Sequence, residues 1–267
     1  MNNIIATPLE LQEFIRNAAI FWLFLDYDGT LAEFAPTPDD VYPDQELIDL
    51  ITQITQQPAL KSAIISGRRL EHIQTLIPVK GIWLAGTYGI ELQSPKGELI
   101  HRLPYEQIRP ILETIKPIWE KIIGQQEGFY LEDKGWSLAI HAKDAQKLEA
   151  QTILSNARTS AENVTEQSPF RLLGGDRFLE IAPKKANKAN TVEYLLAENN
   201  DYDIYSIYIG DDDKDEEAFQ AIKEHAGTSI LVSMEARKTQ ADFRLRNPQS
   251  VRQWLGELLI HLNETRI

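Results

Sequence analysis

The chain has 267 residues, enough to bury a sizeable core and to carry either one large domain or a core with an inserted second unit. Its formal charge of −13 repels phosphate backbones and anionic lipid headgroups, so neither nucleic acid nor a membrane is an expected partner. The absence of cysteine excludes disulfides, thiolate zinc sites and a cysteine nucleophile, and accords with a cytoplasmic setting.

Residues 1–17 lack a basic patch followed by a long apolar stretch, so no secretory signal is expected there. The apolar run at 19–25 is far shorter than the roughly 20 residues of a membrane helix and reads as a buried strand. Leu47, Ile48, Leu50, Ile51 and Ile54 then recur at helical spacing over 45–56, ahead of a second apolar run at 61–66. Further runs at 81–85 and 204–210 complete the pattern of an α/β protein with a Rossmann-like parallel-sheet core. Helices are expected at 187–198, 215–225 and 250–262. The middle of the chain reads differently. A helix over 105–123 precedes strands at 129–132 and 136–141, joined by a turn at Lys134-Gly135; a helix over 144–158 and strands at 170–173 and 178–182 follow. This order predicts an inserted α+β cap domain at 104–178, with 1–103 and 179–267 forming the core.

Asp26-Tyr27-Asp28-Gly29-Thr30-Leu31 directly follows the first strand, and open α/β sheets bind ligands at the carboxyl ends of their strands. Residues two apart on an extended chain point the same way, so Asp26 and Asp28 can face one reacting phosphorus, one attacking while the other manages protons. Taken alone, the motif equally suits an Asp-Gly turn that ends a strand. Ser66-Gly67-Arg68 follows the second strand and offers a hydroxyl and backbone amides to a phosphate, although a plain helix-capping Ser fits that tripeptide too. Gly210-Asp211-Asp212-Asp213-Lys214-Asp215-Glu216-Glu217 follows the strand at 204–210. So many carboxylates demand a counter-charge, and Mg2+, which takes oxygen donors, suits Asp26 and Asp211 reaching from neighbouring strands. Glu216 and Glu217 read as a solvated, acidic helix start. Of the lysines in Pro183-Lys184-Lys185-Ala186-Asn187-Lys188, one near the helix start is expected to face the phosphate.

Taken together and in this order, the four elements resemble the haloacid dehalogenase superfamily of phosphohydrolases over the whole chain. Within it the likeness narrows to trehalose-6-phosphate phosphatases, through 24–31, 66–68, Glu132-Asp133-Lys134 with 137–141, 179–183 and 210–219. The resemblance implies Asp26 as nucleophile and metal ligand, and Asp28 as general acid/base that binds metal through its carbonyl. Asp211, with Asp212, would complete an Mg2+ site. It further implies Ser66, Gly67 and Lys188 on the phosphoryl group, and Asp215 in support of the metal or of Lys188. Sugar contacts would fall to Arg68, Glu132, Lys134, Lys143 and Glu180, although alternating charges on a strand also suit a hydrated hairpin face. Three positions depart from the family pattern: Tyr88 stands where His is usual, Lys143 where Arg is common, and Ala189 where Gly follows the lysine. The implied activity is hydrolysis of a small-molecule sugar phosphate, trehalose 6-phosphate, by a monomer through an aspartyl-phosphate. Phosphatases for sucrose, glucosylglycerol or mannosylglycerate phosphates, a sugar phosphomutase and a non-catalytic sugar-phosphate sensor are the alternatives.

Overall fold

The computed structural model describes residues 4–5, 20–35, 40–58, 60–166, 169–198 and 204–264. Apart from the backbone of Ile4–Ile5, the reading of residues 1–17 and the first residue of the strand expected at 19–25 lie outside these. In chain order the strands are β1 Ile4–Ile5, β2 Ile20–Leu25, β3 Leu60–Ile65, β4 Trp83–Gly86, β5 Glu91–Gln93, β6 Leu99–His101, β7 Tyr130–Asp133, β8 Leu138–His141, β9 Phe170–Gly175, β10 Phe178–Pro183, β11 Ile204–Gly210, β12 Thr228–Val232 and β13 Phe243–Leu245. They form two sheets in two compact units, Met1–Ile100 with Asn187–Ile267, and His101–Ala186.

In β2 every residue after Ile20 is buried, because helices cover both faces of its sheet. Phe21, Leu23 and Leu25 pack to one side with Leu47, Ile51 and Ile54 of helix Gln45–Thr55 and with Val251, Trp254, Leu255 and Leu258 of helix Pro248–Glu264. Trp22 and Phe24 alternate to the other side, against Val192 and Leu195 of helix Lys188–Ala197 and Phe219 and Ile222 of helix Asp215–Glu224. The strand order is β1-β13-β12-β11-β2-β3-β4-β5-β6, with parallel pairing from β1 through to β4. β4 and β5 pair antiparallel. The α/β core therefore follows the sequence reading. Helix Leu70–Leu76 and strands β5, β6, β12 and β13 went unforeseen, the strands because three to five residues give too little alternation to register. Among the described residues no helix is long and apolar enough to cross a membrane.

The second unit is a four-stranded antiparallel sheet, order β7-β8-β10-β9, with helices Tyr105–Ile123 and Lys147–Glu166. Ile108, Leu112, Ile115, Trp119 and Ile123 form the buried stripe of the first helix, and the Trp119 indole N–H donates to the Ala157 carbonyl of the second (3.1 Å). The expected return to the core at 178/179 needs correction. Phe178–Pro183 pairs along its length with β9 and also with β8, so β10 is a central strand of the small sheet and the unit extends to Ala186.

The β7–β8 turn is fastened by Asp133. Its carboxylate accepts from Arg109 (2.6 and 2.8 Å), Lys116 (2.9 Å) and the Gly135 amide (2.9 Å). The Arg109 bonds, followed by those of Lys116 and Gly135, outweigh partial burial and hold this carboxyl well below the usual range. A depressed carboxyl contributes stability above its unfolded value near about 3.9 and loses it as pH falls further. Asp133→Asn should therefore cost about 1–2 kcal/mol in urea unfolding at neutral pH, with the gap to the wild type closing below about pH 3.

Candidate active site

β2 ends where β11 ends. The Asp26 amide still donates to the Ile209 carbonyl (2.9 Å), which fixes Asp26 at the carboxyl edge of the sheet. Beyond it the chain turns on the Tyr27 carbonyl, which accepts from the amides of Thr30, Leu31 and Ala32. Gly29 has φ +77°, and a Cβ there would lie 2.2 Å from Oδ2 of Asp211. Only glycine both adopts that turn and leaves room for the Asp211 carboxylate.

Asp26 is almost wholly buried. Its Oδ1 accepts from the Lys188 ammonium (2.7 Å) and its Oδ2 from the Thr30 hydroxyl (3.1 Å). Lys188 opens a helix whose N-cap, Asn187, accepts from the Asn190 amide, and its ammonium reaches Asp215 Oδ1 as well (2.6 Å). Asp215 is fully used: Oδ1 also accepts from the Tyr208 hydroxyl (2.6 Å), and Oδ2 from the amides of Asp211 and Asp212 (3.1 Å each). The support role for Lys188 is thus the one its bonds serve.

The electrostatics follow from burial with too few cations. Burial would discharge Lys188, but Asp215 and Asp26 hold its ammonium well above the ordinary lysine range. Burial lifts the Asp26 carboxyl, against the pull of Lys188. Burial, then the neighbouring Asp26, Asp212 and Asp215, pushes Asp211 up to about 9; burial, partly offset by Lys188, takes Asp215 to about 7. Burial and Asp215 hold the Tyr208 phenol far above its usual value, so it remains a donor. Carboxylate oxygens of Asp26, Asp211 and Asp215 lie within 4.8 Å of one another, an all-oxygen set that fits a hard divalent cation. Asp212 turns elsewhere: its Oδ1 accepts from the amides of Lys214 (2.7 Å) and Asp215 (3.2 Å), bracing the start of helix Asp215–Glu224. Lys188, Lys214 and these bonds overcome its burial and lower its carboxyl.

Two expected residues meet each other. Arg68 grips Asp28 with both arms, Nε to Oδ2 (2.8 Å) and Nη2 to Oδ1 (2.7 Å), a bidentate pair that fixes the Asp28 carboxylate. Ser66 is buried at the end of β3, and its hydroxyl oxygen accepts from the Arg68 amide (3.1 Å), winding the Ser66-Gly67 turn.

Glu132, Lys134 and Glu180 belong to the second unit, where they form a separate buried cluster. Lys134 pairs with Glu180 (3.2 Å) and approaches Glu132 (3.8 Å); the Ser137 hydroxyl donates to Glu180 (2.6 Å), and His141 Nε2 lies 2.9 Å from Glu132. A hydrated hairpin face is therefore the wrong description, since these three residues are 9, 6 and 0% exposed. Lys143 is exposed. Sequence reasoning missed three supports: Tyr208, Thr30 as a donor to Asp26, and Arg237, whose guanidinium donates to the Asp211 carbonyl (3.1 Å) and to Asp213. The parity of β11, which sets Tyr208 two residues before Gly210, was the available signal for the first.

The doubly covered parallel sheet, the buried aspartate and lysine at its carboxyl edge and the acidic loop beside them define a phosphohydrolase of the haloacid dehalogenase type. Residues 24–249 match the family model described as "Trehalose-phosphatase". Trehalose-phosphate phosphatase B of Arabidopsis thaliana is 28% identical over 251 residues, covering 89% of this chain and 66% of the plant protein. The chain thus spans about two thirds of that relative. Among solved structures, the C-terminal domain of trehalose-6-phosphate phosphatase from Candida albicans superposes with a TM-score of 0.85 at 20% identity, covering 97% of this chain and 98% of that one. The C-terminal domain of the trehalose synthase regulatory protein of Candida albicans gives 0.81 at 12% identity, covering 97% and 99%. The chain belongs to the trehalose-phosphatase family, whose named members are phosphoric monoester hydrolases.

A divalent cation bound by Asp211 would have to compete with the proton that burial and the neighbouring carboxylates favour there. Titration with Mg2+, followed by the melting midpoint, should show an apparent affinity at least about tenfold weaker at about pH 6.5 than at about pH 8.5. Asp211→Asn should remove the cation-dependent rise.

Proposed function

We propose that the chain hydrolyses trehalose 6-phosphate to trehalose and phosphate through an aspartyl-phosphate on Asp26, with Mg2+ as cofactor. The observation that carries this reading is the buried Lys188 ammonium held between Asp26 (2.7 Å) and Asp215 (2.6 Å), beside Asp211. Such an arrangement orients a carboxylate and supplies positive charge where a phosphate dianion must approach it.

Asp26 and Asp211 would hold the metal, with the Asp28 carbonyl as a further ligand by family likeness. When bound, Mg2+ supplies charge that offsets the repulsion between carboxylate and phosphate. Lys188 provides the chain's own share of that charge, and the Ser66 and Gly67 turn grips the remaining phosphoryl oxygens. An Asp26 oxygen forms a bond to phosphorus as the bond to the sugar oxygen breaks, and Asp28 gives a proton to that oxygen. Water then attacks the phosphorus and returns its proton to Asp28, and cleavage of the acyl-phosphate bond frees Asp26. Arg68 sets the direction of the Asp28 carboxylate, so we assign it to Asp28 rather than to the sugar. Glu132, Lys134 and Glu180 are the proposed contacts to the sugar hydroxyls, already fixed by one another and by Ser137 and His141; exposed Lys143 is proposed as a further donor. We take the chain to act as a cytoplasmic monomer.

Phosphate release from a panel of sugar phosphates, with and without Mg2+, tests the reading. Turnover should require Mg2+, be fastest on trehalose 6-phosphate, and fall by at least about a thousandfold in Asp26→Asn. Preference for another sugar phosphate would overturn the substrate assignment, and a wild type inert on every member would favour a non-catalytic sugar-phosphate sensor.

A further inference from the structure

Thr87 and Tyr88 adopt φ of +48° and +54°, two consecutive residues other than glycine in the left-handed region. A side chain with a Cβ is strained in that region, and the conformation persists only where its surroundings impose it. Here they do. The Thr87 amide donates to the Arg68 carbonyl (2.7 Å) and the Tyr88 amide to the Ser66 carbonyl (2.8 Å), which clasps the Ser66-Gly67-Arg68 turn from both ends. The Thr191 hydroxyl, from the helix that begins with Lys188, donates to the Tyr88 carbonyl (2.9 Å). That helix can come this close because the next residue is Gly89: a Cβ there would lie 1.9 Å from the Thr191 hydroxyl.

The side chain continues the same pattern. The Tyr88 ring is buried directly over Gly67, where an added Cβ would meet the ring and its hydroxyl at 2.7 Å. The Lys214 ammonium lies 5.3 Å from the ring centroid and 3.7 Å from Asp212. Tyr88 therefore touches three segments at once: the Ser66-Gly67 turn, the Lys188 helix and the acidic loop.

We infer that Tyr88 is a positioning residue: its ring and its strained backbone hold the Ser66-Gly67 turn in the form that grips phosphate, in register with Lys188. The inference rests on the phosphate-binding role proposed above for that turn. Because the ring acts by occupying the space over Gly67, a planar replacement should serve and a small one should not.

The test is a double-mutant cycle between positions 67 and 88, read by kcat/KM and by the inhibition constant of inorganic phosphate. Tyr88→Phe should stay within about threefold of the wild type, and Tyr88→His should recover most of what Tyr88→Ala loses. Tyr88→Ala should weaken inhibition by phosphate and lower kcat/KM by about tenfold or more. Gly67→Ala should be severely impaired by itself but less so in the Tyr88→Ala background, where the clash is gone, so the double variant should exceed the product of the single effects by several-fold. Independent, multiplicative losses would overturn the inference, as would a Tyr88→Ala variant that melts lower but binds phosphate like the wild type. A wild type that neither turns over nor is inhibited by phosphate would instead remove the phosphate role of the turn.

Discussion

The site depends on one buried cation. Lys188 is almost without solvent, and an ammonium in that position is tolerated only because Asp26 and Asp215 lie within 2.7 Å of it. The pairing constrains everything around it. Asp215 must sit at the start of its helix, where Tyr208 and two backbone amides use up its oxygens, and Asp26 must leave β2 beside β11. Removing one member of such a group leaves an uncompensated buried charge, a loss of about 3–5 kcal/mol, so the arrangement is rigid before any ligand arrives. A carboxylate that is already oriented reorganises little when a phosphate approaches.

The same shortage of positive charge makes the site receptive to a cation. Asp26, Asp211, Asp212 and Asp215 surround Lys188, with Lys214 at the margin. Bonds to Lys188 and to backbone amides account for Asp215 and Asp212, whereas at Asp211 burial and the like-charged neighbours outweigh the pull of Lys188 and raise the carboxyl to about 9. Where a carboxyl holds a proton that firmly because of its neighbours, a divalent ion can take the proton's place. The second unit solves the analogous problem within itself: Lys134 lies between Glu132 and Glu180, with the Ser137 hydroxyl on Glu180 and His141 on Glu132 beside it. Both clusters are groups of buried charges made tolerable by mutual pairing, on two different kinds of sheet.

Much of this was legible in the chain itself. Runs such as residues 20–25, apolar at successive positions, belong to strands covered on both faces, and the helical spacing over 105–123 marks a stripe that must be buried; such patterns arise from local geometry and the cost of exposing apolar surface. The placement of Asp26, Ser66 and Asp211 was legible for the same kind of reason, since each directly follows a strand and so falls at the carboxyl edge of the sheet, with Asp28 two residues beyond Asp26; the choice of Lys188 among its neighbouring lysines came from the family resemblance. The tertiary structure alone decided the pairings. That Arg68 grips Asp28, that Asp215 rather than Asp212 carries Lys188, and that Tyr88 fills the space over Gly67 are contacts between residues up to 40 positions apart, or choices between nearby carboxylates of one acidic loop. Sequence periodicity sets the face on which a side chain lies, but which partner it meets there depends on how separate segments close against one another. Only the folded chain brings those segments together.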